Sequence, residues 1–131
     1  MANEKAPVKC VPGDDLYERM MNFCVRVYKL VRALPKDSYS RHVGLQLFRC
    51  ATSSGANYGE ARGAESDDDF VHKLSVVFKE SKESQFWLTF IGRAEMLKPH
   101  LVGPLRQEAE ELCRIFATSV RTAKKRSSRR R

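Results

Sequence analysis

Arg49, Ser53, Asn57 and Glu60 follow one another at steps of four, four and three residues, in a segment otherwise patterned like a buried helix. Such spacings place side chains on one helix face, and a face bearing a cation, a hydroxyl, an amide and a carboxylate needs polar partners. Arg49 and Glu60 are separated by about 16 Å of helix rise, so they cannot satisfy each other. Further along, Lys73, Glu80, Glu83 and Trp87 share a flank of another helical stretch and offer charges of both signs. The expected result is a structural network between helices or between subunits. It pairs Arg49 with Glu80 or Glu83 and Glu60 with Lys73, and Asn57 bonds to backbone.

The same residues could in principle do catalysis. Glu80 and Glu83 could act as general acid and base, but no nucleophile, glycine-rich phosphate loop or third catalytic group accompanies them. Carboxylate-bridged metal bundles place a Glu three residues before a His, and none of His42, His72 and His100 has one. Asp68 and His72 are one turn apart but fall at an exposed helix start. Trp87, in the run Gln85-Phe86-Trp87-Leu88, has the spacing of a core or subunit-interface residue rather than of a base-stacking platform. The scattered Cys10, Cys24, Cys50 and Cys113 lack the close pairing of zinc and redox motifs and read as reduced, mostly buried thiols. The expectation is a protein that is not an enzyme and uses neither metal nor cofactor.

Charge gives a second lead. The 131 residues hold 24 Lys and Arg against 16 Asp and Glu. Seven of those cations, Arg121, Lys124, Lys125, Arg126, Arg129, Arg130 and Arg131, lie in the last eleven residues with no acid among them. The other 120 residues carry 17 cations against 16 acids and are close to neutral. A basic segment of this kind suits phosphate backbones, which attract Lys and Arg irrespective of base sequence. No apolar run approaches the roughly 20 residues that span a bilayer, and the N-terminus lacks the apolar core of a signal peptide. A cytoplasmic protein without membrane contact is expected.

The elements that must position these groups are helices. Residues 1–13, with Pro7, Pro12 and Gly13, read as an irregular lead-in, and Asp14 or Asp15 as an N-cap. Leu16, Met20, Phe23, Val27, Leu30 and Leu34 then form a seam closed by Pro35. A second helix is expected from about Arg41 to Arg62, where Gly44, Gly55 and Gly59 point to close packing. Ser66, followed by Asp67, Asp68 and Asp69, starts a third helix whose seam is Phe70, Leu74, Val77, Ser81, Ser84, Leu88 and Ile91. A fourth is expected after Pro104 along Leu105, Ala109, Leu112, Phe116 and Ser119. The fold class is all-α: an antiparallel up-down-up-down four-helix bundle over residues 14–120, with a disordered basic tail at 121–131.

The stretch from Arg49 to Ala61, with Ser66, Asp69, Phe70, Lys73, Leu74, Lys79, Glu80, Glu83, Trp87 and Leu88, resembles the bacterial four-helix bundle proteins. These include products encoded within intervening sequences of 23S ribosomal RNA genes. The resemblance is dense over residues 41–92. It implies association into a homopentameric ring, no established enzymatic activity and, for the ribosomal branch, RNA binding. A related branch, the accessory proteins of diversity-generating retroelements, binds nucleic acid and a reverse transcriptase. Phe86, Trp87, Leu88, Phe90 and the run Lys98-Pro99-His100 are similar to that branch. Together the residues and the resemblance predict an oligomeric bundle that binds nucleic acid, most simply RNA, mainly through its basic tail. The alternative is a protein-interaction scaffold or reverse-transcriptase accessory protein.

Overall fold

A computed structural model describes residues 13–130. They form four helices: α1 Asp14–Ala33, α2 Ser38–Arg62, α3 Asp67–Arg93 and α4 Pro99–Arg129. The lead-in at residues 1–12, Cys10 within it, and Arg131 lie outside the described residues.

Each helix boundary has a local cause. Gly13, at φ 93°, turns the chain into α1 without a side-chain cap, so Asp14 and Asp15 occupy the first turn rather than the cap. There their negative charge opposes the positive end of the helix dipole. Tyr58 donates to the Gly13 carbonyl and Arg62 pairs with Asp14, which ties the start of α1 to the end of α2. α2 begins at Ser38, three residues before the expected Arg41. The Asp37 carboxylate accepts from the Ser40 amide at 3.0 Å and from its hydroxyl at 2.8 Å. Ser66 caps α3 as its sequence predicts, accepting from the Asp69 amide at 3.0 Å. α4 begins at Pro99 rather than after Pro104. Proline suits the first helical position, and Pro104 removes one backbone bond near the exposed start of the helix.

The seams meet in one core. Phe23, Phe116, Met20, Leu47, Leu74 and Leu88 are fully buried, each contributing about 1.5–3 kcal/mol by leaving water. Each helix packs against its two neighbours, α1 on α2 and α4, α3 on α2 and α4, with no close backbone approach across either diagonal. The α2 glycines meet α1 in reversed order. A methyl group at Gly44 would come within 2.9 Å of Val31, one at Gly55 within 3.0 Å of the Cys24 sulfur, and one at Gly59 within 3.4 Å of Tyr17. The small residues therefore admit side chains of an antiparallel neighbour.

One expectation is overturned. The basic segment 121–130 is helical through Arg129. Ala123 and Ser127 continue the buried stripe of Leu112, Phe116 and Val120, so the segment still packs against the bundle. Ser127 donates to Asp68 at 2.5 Å, and Arg130 pairs with Asp67 at 2.9 Å. Composition favours disorder for this segment, but the periodic small residues and the acidic start of α3 provide partners for it.

Candidate nucleic-acid interface and the polar seam

The α2–α3 seam holds half of the expected network. Arg49 donates to Glu83 at 2.8 Å and lies 3.8 Å from Glu80, with a longer bond of 3.5 Å to Gln46. Its side chain is 54% exposed, so this is a surface bridge rather than a buried one. Asn57 bonds to the Ser53 carbonyl at 2.8 Å and to its hydroxyl at 3.2 Å, one turn back on its own helix. Beneath them Cys50 and Ser84 are 3.2 Å apart in the core. The expected Glu60–Lys73 bridge is absent: Glu60 is exposed, and Lys73 pairs with Asp69 at 3.1 Å, one turn back on α3. That partner needs no reach between helices.

Trp87 is half-buried at the edge of the seam, not in the core. It packs edge-on against Phe86, Phe90 and His42, with ring centres 5.0, 6.1 and 6.1 Å away. Its buried Nε1 has no hydrogen-bond partner among the described residues, nor has Glu80 Oε2. Phe86 and Phe90 stay exposed, as do Leu45, Phe48 and Tyr28 across α2 and α1. This apolar band around Arg49 is invisible in the core stripes, because its members lie outside the buried registers.

The buried thiols are held in their protonated form. Burial pushes the Cys50 thiol up to about 12 and the Cys113 thiol up to about 11, and also raises Cys24. All three are free thiols, protonated at neutral pH. Among the described residues no cluster of His, Cys, Asp and Glu is placed to hold a metal ion.

The cations at the end of α4 are arranged differently. Arg121, Lys124, Lys125, Arg126 and Arg129 are exposed. Among the described residues only Arg130 of this segment pairs with a carboxylate. Arg126 and Arg130 also line a shallow groove with Ala61, Phe70 and the α2–α3 link. On the helix, Lys124, Lys125 and Arg126 fan around one turn, and Arg121 and Arg129 lie about one turn to either side.

Residues 14–118 match the sequence pattern of the 23S rRNA-intervening sequence proteins. The chain belongs to that family. A crystal structure of a protein of unknown function from the S23 ribosomal protein family of Bacteroides thetaiotaomicron has the same fold, with a TM-score of 0.74 and 27% identity. The similarity covers 80% of this chain and 97% of that one. No curated protein matches the chain. The match to the 23S rRNA-intervening sequence proteins includes the whole α2–α3 seam and stops before Arg121, so the basic end of α4 lies outside what defines the family in this chain. Among the described residues no helix is long and apolar enough to cross a membrane.

Proposed function

We propose that this member of the family is a non-enzymatic cytoplasmic protein that assembles as a homopentameric ring and binds nucleic acid, RNA foremost, through the basic end of α4. The observation that carries the reading is the set of five exposed cations, Arg121, Lys124, Lys125, Arg126 and Arg129, unpaired with any described carboxylate on a rigid helix. Backbone phosphates are their natural counter-charge, and binding would release condensed counterions. Five protomers would bring together five segments of +7, or +35, and multivalency would strengthen contacts that are weak singly. The exposed apolar band of Tyr28, Leu45, Phe48, Phe86 and Phe90 supports the assembly, since a patch of this kind on a lone chain would be a liability.

The test is an anisotropy titration of fluorescein-labelled single-stranded RNA with the unaltered protein and with R121Q/K124Q/K125Q/R126Q/R129Q. Binding at least tenfold weaker by the variant is expected, and equal binding would overturn the mechanism. Neutralisation is preferable to truncation at Val120, which would also remove the buried Ala123 and Ser127. The apolar band also favours a second reading, a scaffold for a protein partner such as a reverse transcriptase. An altered Phe86 and Leu45 that leave the oligomer intact but abolish capture of such a partner would support it.

A further inference from the structure

The near-neutral body, 17 cations against 16 acids over residues 1–120, conceals a segregation of charge. Glu80 and Glu83 face Arg49 on α2, and Glu108 and Glu111 face Arg19 on α1. Glu65, Asp67 and Asp69 gather at the α2–α3 end. The outer surface of the α3–α4 pair carries more cations than acids, with Phe86 and Phe90 among them on α3. Lys79, Lys82 and Arg93 are exposed on α3, and Arg106, Arg121 and Lys124 are exposed on α4.

The antiparallel packing of α3 on α4 sets these residues along one strip. Ser127 bonds to Asp68 at one end, and Lys124, Ser127 and Ser128 line a cleft with Val71, His72 and Ser75. In the middle, the charge of Lys82 reaches the Cys113 thiol of α4. At the other end the Arg106 guanidinium comes within 3.9 Å of where a side chain at Gly92 would begin. The acids beside this strip are Glu110, which is engaged by Arg114 one turn away, Asp68, which accepts from Ser127, and Glu83, one turn after Lys79, which is engaged by Arg49. Glu95 lies beyond the strip in the α3–α4 link.

We infer that the nucleic-acid site is a composite track, in which Lys79, Lys82, Arg93 and Arg106 on the bundle body continue the phosphate contacts of Arg121 and Lys124. From Arg106 to Lys124 the track is about 27 Å long at 1.5 Å per residue. At about 3.4 Å per phosphate, that is the axial length of about eight nucleotides of one duplex strand. A row of exposed cations along two antiparallel helices fits the regular spacing of a polyphosphate backbone, while Phe78 under Lys82 and the exposed Phe86 and Phe90 beside it add apolar surface at the α3 edge. The track thereby places the bundle itself, and not only its end, against the nucleic acid.

This inference rests on the nucleic-acid reading above, and one experiment separates the two. Lys79→Gln, Lys82→Gln and Arg106→Gln are combined in the full chain with the α4 end unaltered, and affinity for labelled single-stranded RNA is measured across a salt series. All three side chains are exposed, so an unchanged melting temperature serves as the folding control. With three fewer phosphate contacts the slope of log affinity against log salt should become shallower by about 2. Affinity at low salt should fall at least tenfold. A slope unchanged to within about 0.5 and an affinity within twofold of the unaltered protein, with binding still weakened by neutralising the α4 end, would overturn the track and leave the end as the whole site. Failure of the unaltered protein to bind RNA would overturn the track together with the function on which it rests.

Discussion

Single residues show where the polar face of α2 directs its energy. The Arg49–Glu83 bridge is half-exposed, so Arg49→Ala should cost no more than about 1 kcal/mol in chemical denaturation. A substantially larger loss would mean that the bridge is desolvated, as it would be inside an assembly. The glycines separate two kinds of position. Gly44→Ala must displace Val31 and Leu34 and should destabilise the fold by about 1–3 kcal/mol despite the better helix propensity. Gly103→Ala meets nothing within 4 Å and should stabilise α4 by up to about 1 kcal/mol. Glu108 supplies a pH dependence. Its hydrogen bonds from Arg19 hold its carboxyl below the usual carboxylate range. A depressed folded value means that this stabilisation is fully present above the unfolded Glu value, about 4.3, and is lost as the pH falls through the folded value. Melting temperatures of the wild type and of Glu108→Gln should therefore differ at pH 7 and converge towards pH 3.

At the scale of the helices, most of the architecture was legible because each core stripe repeats at the helical period. Met20 to Leu34 on α1 and Leu74 to Ile91 on α3 are buried as their spacing dictates. Arg49 finding Glu83 was legible too, since an antiparallel hairpin brings the two to similar heights. The failures have physical causes. The start of α2 falls three residues before the expected Arg41 because the Asp37 cap depends on backbone geometry just before the helix, which spacing does not encode. Glu60 and Lys73 lie on neighbouring helices, but Asp69 stands one turn before Lys73 on the same helix, and this i,i+4 pair forms in place of a bridge that would have to span two helices. The composition of the basic segment points to disorder, and the stripe of Ala123 and Ser127 within it is too weakly apolar to stand out alone. That stripe makes a prediction: Ser127→Ala removes a hydrogen bond to a carboxylate at the end of α4 and should lower stability by about 1 kcal/mol. Faster hydrogen exchange confined to residues beyond Val120 would show the same loss locally. Uniform exchange would contradict the docking of this segment on α3.

For the whole molecule, the family rests on residues 14–118, which include the α2–α3 seam, whereas the proposed function rests on charge held on α3 and α4. The apolar band and the cationic strip meet on α3, where Phe86 and Phe90 stand between Lys82 and Arg93, so the α3 end of the strip borders the proposed assembly surface. Light scattering should give about 75 kDa for a pentamer of 15.0 kDa chains, and a mass near that of one chain would contradict the ring. Paired Leu45→Ser and Phe86→Ser substitutions should lower that mass without unfolding the bundle, both side chains being more than half exposed. The central claim is that exposed cations at the end of α4 engage backbone phosphates, and the salt dependence of RNA binding tests it most directly. Five contacts to a single strand should give a slope of log affinity against log salt of about −3.5 per protomer from this segment alone. Neutralising Arg121, Lys124, Lys125, Arg126 and Arg129 should remove most of that slope along with the affinity. An unchanged affinity with an unchanged slope would contradict the account.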